Sequence, residues 1–180
     1  MEGYTLQLDP RTGKYLTLHL FTNIENSKEI RKKLQSGKLQ CCVLKASMIV
    51  DPFQVVVAAN KAVLRQHSGC MITRGVFTEI LYAISSSTNI SQSLLRFGIG
   101  DRDKNILVAL LHEENEKAQL EEEILGEITG DRTLISRLGE FVDVELVKKT
   151  YKIVEEELKV SSLEDSIVSR IGSDYSVSLK

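Results

Sequence analysis

The side chains able to do chemistry are few and scattered. Three histidines, His19, His67 and His112, stand far apart and lack the close spacing of a zinc motif. Cys41, Cys42 and Cys70 are an odd set with one adjacent pair, a poor disulfide framework that reads as buried thiols of a reducing compartment. Cys41 or Cys42 would become a nucleophile only with a histidine folded beside it. Gly98 and Gly100 lack the third glycine of a dinucleotide loop and open no helix, and no serine sits in a nucleophile elbow. Asp101-Arg102-Asp103-Lys104-Asn105 starts like a calcium loop. Its sixth place is Ile106 instead of the turn glycine, and its twelfth is His112 instead of a bidentate glutamate.

Charge is more informative. Seven glutamates lie between Glu113 and Glu127, opposed by Lys117 alone. They are read as a solvated helix face, with an acidic docking surface for a basic partner as the alternative. The opposite sign gathers between Pro52 and Thr78, where Lys61, Arg65 and Arg74 occur with no acid. Lys61 and Arg65 are four apart, one turn of a helix, where like charges cost about 0.2–0.5 kcal/mol. Stability alone would favour a glutamate at one of them. The pattern suits an anionic ligand such as a phosphate backbone, arginine offering a fork and lysine a point charge.

The elements that must position these groups follow from periodicity and punctuation. Tyr4–Leu8 and Tyr15–Phe21 read as strands, the second with leucines at every other place, and Asp9 to Gly13 turns between them to make a hairpin. Asn26 with Glu29 marks a helix that ends near Gly37, and Cys41–Leu44 is a short strand. Asp51-Pro52 is the clearest helix start: aspartate caps free amides, and proline at the first position loses nothing by lacking its N–H. That helix runs to about Ser68 before Gly69. On a wheel, Phe53, Val56, Val57, Ala59, Val63 and Leu64 form its apolar arc, and Gln54, Lys61, Arg65 and Ser68 a narrow exposed ridge with Asn60 at its edge. Arg74–Ile84, Ser91–Phe97 and Ala118–Ile128 are further helices, with a buried strand at Asn105–Leu111. Asp143 caps a helix through Val144, Val147, Tyr151 and Val154, and Ser161 with Glu164 opens the last one. Residues from about Ser173 are expected to fray. A hairpin, helices, an isolated strand and more helices make this an α+β chain, with a small mixed or antiparallel sheet.

The 180 residues fit one domain, and 42% hydrophobic with 27% charged residues is an ordinary globular balance. A net charge of −2 excludes a globally basic nucleic-acid binder but not a local basic patch. The first residues show no basic segment followed by an apolar core, and the longest apolar run, Val55–Ala59, is too short for a bilayer, so a protein of cytoplasm and nucleus is expected. No cofactor, no metal and no enzymatic activity are expected.

Val50 to Val63, V-D-P-F-Q-V-V-V-A-A-N-K-A-V, closely resembles the central helix of the kinase-binding subunits of the KEOPS (EKC) complex. Supporting matches are Thr73-Arg74, Thr78 to Leu81, Asn89-Ile90-Ser91, Phe97-Gly98-Ile99 and Val147 to Lys152, while Glu113 to Val142 has no counterpart. The resemblance implies a non-catalytic protein that binds the N-terminal lobe of a small atypical kinase working as an ATPase. It implies indirect partnership with a sugar-kinase-like catalytic subunit. That subunit transfers a threonylcarbamoyl group to the adenosine beside the anticodon of tRNA. It also implies help in recruiting tRNA by its CCA end. Asn60, Lys61, Arg65 and Arg74 are the expected tRNA contacts. The apolar and aromatic residues Val144, Val147, Tyr151, Ile167 and Ile171 are the expected kinase contacts. An autonomous RNA-binding protein using the basic ridge is the first competitor, although 6% aromatic residues supply few stacking platforms. A small hydrolase with a site assembled from scattered glutamates and histidines is the second.

Overall fold

The computed structural model describes residues 3–173; the expected frayed tail lies, after Ser173, outside the described residues. Five antiparallel strands form one sheet: β1 (Tyr4–Gln7), β2 (Tyr15–Thr22), β3 (Cys42–Lys45), β4 (Ile106–His112) and β5 (Asp131–Thr133). Their order is β1-β2-β4-β3, with β5 continuing beyond β1 along the same edge of β2. The α+β class and the first hairpin are as expected. At the hairpin, Asp9 Oδ1 accepts from the Arg11 amide, and Gly13 takes the left-handed φ of 64° that closes the turn.

Alternation along the central strands divides the core. Leu16, Leu18, Leu20, Leu107 and Ala109 face one side, beneath α2 (Pro52–His67), α3 (Val76–Ser85), α6 (Val144–Tyr151) and α8 (Leu163–Gly172). Phe21, Ile106, Val108 and Leu110 face the other, with Ile30 of α1 (Ser27–Gln35) and Ile124 of α5 (Lys117–Leu125). β4 is apolar up to its last residue, His112, because both of its faces are covered. α4 (Ile90–Phe97) stops at Gly98, where a Cβ would come within 2.6 Å of Leu94 O.

Several boundaries differ from expectation. The helix capped by Asp143 ends at Tyr151, since Lys152 turns left-handed (φ 55°) and α7 (Glu155–Leu158) starts separately. Asn26 makes no cap hydrogen bond. Its amide instead donates to Glu127 O and accepts from Thr129 N, tying the start of α1 to the turn after α5. Ser162, not Ser161, caps α8 by accepting from Asp165 N. Strand β5 has no counterpart among the expected elements.

Candidate functional site

The Asp51 helix starts as its sequence demands, Asp51 Oδ1 accepting from Phe53 N at 2.8 Å, but its ridge is not as the wheel drew it. Gln54 is 1% exposed and Phe53 49%. The amide of Gln54 is spent inside, donating to Met48 O and to the Tyr151 hydroxyl while accepting from Val50 N. Packing of α8 on α2 narrows the strip further. Lys61 Nζ donates to Ile171 O and Ser173 O, the last carbonyls of α8. Arg65 pairs with Glu79 at 3.0 Å, just past the acid-free stretch. Asn60 Oδ1 accepts from Asp9 N, tying the hairpin to α2.

Glu79 organises this region. Its carboxylate is fully buried, and burial alone would raise its pKa. Donors outweigh that cost: the Ile72 and Thr73 amides, the Thr73 hydroxyl and Arg65 all point at it, so its pKa lies below the ordinary carboxylate value. The same bonds fix the Ile72–Thr73 backbone and thereby present Arg74. Arg74 is exposed and makes no hydrogen bond or ion pair among the described residues.

Two cavities flank α3. On one side lies a groove of about 910 Å³ between α1, β3, α3 and α4. Leu39, Val43, Phe77, Leu81, Leu95 and Ile99 are among its apolar lining residues, and its charged ones are Arg31, Lys45 and Arg74 against Asp101. Leu95 is 69% exposed, and Lys45 Nζ anchors to Leu95 O. On the other side is a pocket of about 100 Å³ lined by Lys61, Arg65, Arg170, Tyr82 and the Ser86–Thr88 loop. The four expected RNA contacts do not line one cavity. Arg74 belongs to the groove, Lys61 and Arg65 to the small pocket, and Asn60 lines neither.

Of the five residues expected at a kinase contact, four are core. Val147, Ile167 and Ile171 are buried in the cluster on the α2 side of the sheet. So is Tyr151, whose hydroxyl donates to Ile84 O at 2.5 Å. Only Val144 offers its side chain to a partner, and Leu146, Val154 and Val160 are exposed in the same part of the chain. An amphipathic helix shows an apolar face whether it packs inward or outward, which is why the sequence could not separate them.

The histidines of the sheet are held by internal bonds. Arg132 can only donate, so His19 Nδ1 accepts from it at 2.8 Å and the ring proton sits on Nε2, 2.9 Å from Glu121 Oε1 without hydrogen-bond alignment. Burial first, then the Arg132 charge, lowers the His19 pKa to about 4. His112 donates from Nδ1 to Glu113 O and accepts from Thr17, which accepts from Thr5, which accepts from Lys117. Burial pushes the Cys41 thiol up to about 12 and holds the Cys42 thiol well above its ordinary value, so neither is a ready thiolate. Among the described residues no three His, Cys, Asp or Glu side chains gather as metal ligands would.

An α+β scaffold with an open apolar groove, a basic rim and its buried His19, Glu79 and His112 held by internal bonds is the form of a binding protein. The chain belongs to the CGI-121 family of kinase binding proteins, whose model matches residues 21–174. It is 35% identical to the EKC/KEOPS complex subunit TPRKB of Danio rerio over 87% of this chain and 89% of that protein. It is 30% identical to the EKC/KEOPS complex subunit CGI121 of Yarrowia lipolytica over 80% and 83%, and 26% identical to that of Schizosaccharomyces pombe over 93% and 95%.

Proposed function

We propose that this chain is a non-catalytic subunit of an EKC/KEOPS-type complex in the cytoplasm and nucleus. It binds the N-terminal lobe of the complex's small atypical kinase and helps to bring tRNA, by its CCA end, to the threonylcarbamoyl-transferring subunit. The observation that carries the reading is the family match across most of the chain, joined by relatives that are all subunits of the same complex. The geometry adds a division of labour. The apolar groove with Arg74 at its rim suits unpaired bases and a phosphate, and the exposed apolar residues around α6, Val144 foremost, suit a protein partner.

The test is a double dissociation in the complex with the kinase. Arg74→Glu should weaken tRNA binding several-fold while the kinase still co-purifies in one-to-one ratio. The pair Val144→Asp and Leu146→Asp should release the kinase while the isolated chain stays folded by circular dichroism. Full retention of both interactions in both variants would place the two contacts elsewhere.

A further inference from the structure

Among the described residues a second positive surface lies on α1, and its origin is a spacing. Lys28, Arg31, Lys32 and Gln35 stand at i, i+3, i+4 and i+7, so they share one helix face. Glu29, three places before Lys32, makes no ion pair with it among the described residues, Arg31 is paired with Asp101 at 3.0 Å, and Lys33, off this face, is turned to Glu127 beyond α5. Lys28 and Lys32 are one turn apart, where like charges repel, and both are exposed without a hydrogen bond or ion pair among the described residues. Isolated stability would favour an acid at one of them.

This face borders the groove. Arg31 and Gln35 are themselves lining residues, and Lys38 sits between two more, Gly37 and Leu39. Arg74 and Lys45 stand among the other lining residues, and Asp101, held by Arg31, is the single acid among them. An apolar trough thus runs beside the exposed cations Lys28, Lys32, Lys38 and Arg74. A partner for it must combine repeated negative charge with flat apolar surface, which describes the phosphates and bases of single-stranded RNA. An acidic peptide offers the charge without the flat faces.

We infer that the α1 face carrying Lys28, Arg31 and Lys32, with Lys38 and Arg74, is a phosphate-binding track along which RNA enters the groove. This rests on the reading of the chain as a tRNA-recruiting subunit and extends its RNA contact to an element that reading does not use. The arrangement sets roles by position. The α1 lysines hold backbone at any sequence, and the apolar floor receives the unpaired end.

The experiment measures binding of a fluorescent tRNA transcript to the full chain in complex with its kinase, across a salt series. The same transcript without its single-stranded 3′ end runs in parallel. Every phosphate that a variant no longer neutralises should lower the slope of log K against log salt by about 1, so Lys28→Gln with Lys32→Gln should lower it by about 2. The drop should appear with both transcripts, since the lysines hold backbone. Lys33→Gln, on the same helix but off this face, should leave the slope unchanged. An unchanged slope in the double variant, with wild type binding normally, overturns the α1 track and leaves the tRNA reading standing. If wild type binds no tRNA at all, the reading fails and the inference with it. If the double variant releases the kinase, the face is a protein contact and the inference is wrong.

Discussion

At the scale of single residues, the structure turns potential chemistry into architecture. His19 is the clearest case. In the unfolded chain a histidine titrates near 6.5, whereas here its pKa is about 4. As pH falls below 6.5 the unfolded chain takes up a proton that the folded one refuses. Stability from a neutral His19 is therefore complete above that value and is lost progressively down to about pH 4. Between pH 7 and pH 5 the loss should be about 1–2 kcal/mol. His19→Gln keeps an acceptor for Arg132 but cannot take a proton. Its urea midpoint should fall less over that interval than that of wild type, and equal falls would show that His19 is not the titrating group. None of this is visible in sequence, where His19 is one polar place in an alternating strand. The partners that hold it, Glu121 and Arg132, are over 100 residues away.

At the scale of elements, α2 and α6 are joined by one buried polar knot. Tyr151 of α6 donates to Ile84 O of α3 and accepts from Gln54 of α2, so three helices meet at one hydroxyl. Tyr151→Phe would leave a carbonyl and an amide buried with a partner missing, at a cost of about 1–3 kcal/mol. Chemical denaturation should show that destabilisation with unchanged far-ultraviolet dichroism, whereas Val144→Ala should stay within about 0.5 kcal/mol of wild type. Elements marked by local physics were legible in advance: the Asp51-Pro52 cap, the alternating leucines of β2 and the glycines that stop α2 and α4. Those fixed by distant contacts were not. Gln54 has the look of an exposed ridge residue because its partners, Met48 O and the Tyr151 hydroxyl, come from elsewhere in the fold. β5 is hidden in the sequence because three residues of Asp-Arg-Thr carry no strand pattern of their own and pair only because β2 runs past them.

At the scale of the whole molecule, the candidate site was half legible. Lys61, Arg65 and Arg74 were visible as cations without local acids, but the fold divides them between the linings of two cavities. The groove between α1, β3, α3 and α4 could not be read from any one segment. The net charge misleads most. A chain of charge −2 should pass a polyanionic resin, yet the exposed α1 cations predict retention on heparin at pH 7.5. Lys28→Gln with Lys32→Gln should elute at distinctly lower salt, and passage of wild type without retention would count against a usable basic face.

The ion pair between Lys33 of α1 and Glu127 after α5 marks a seam. On one side of it stand the exposed cations of α1, and on the other the glutamates of the α5 region, all but Glu121 exposed. Both helices lie over the same face of the sheet, so the molecule carries a lateral electric dipole that its total charge conceals. Such a body rotates before it touches anything. A polyanion is therefore drawn to its α1 side and a basic surface to its α5 side.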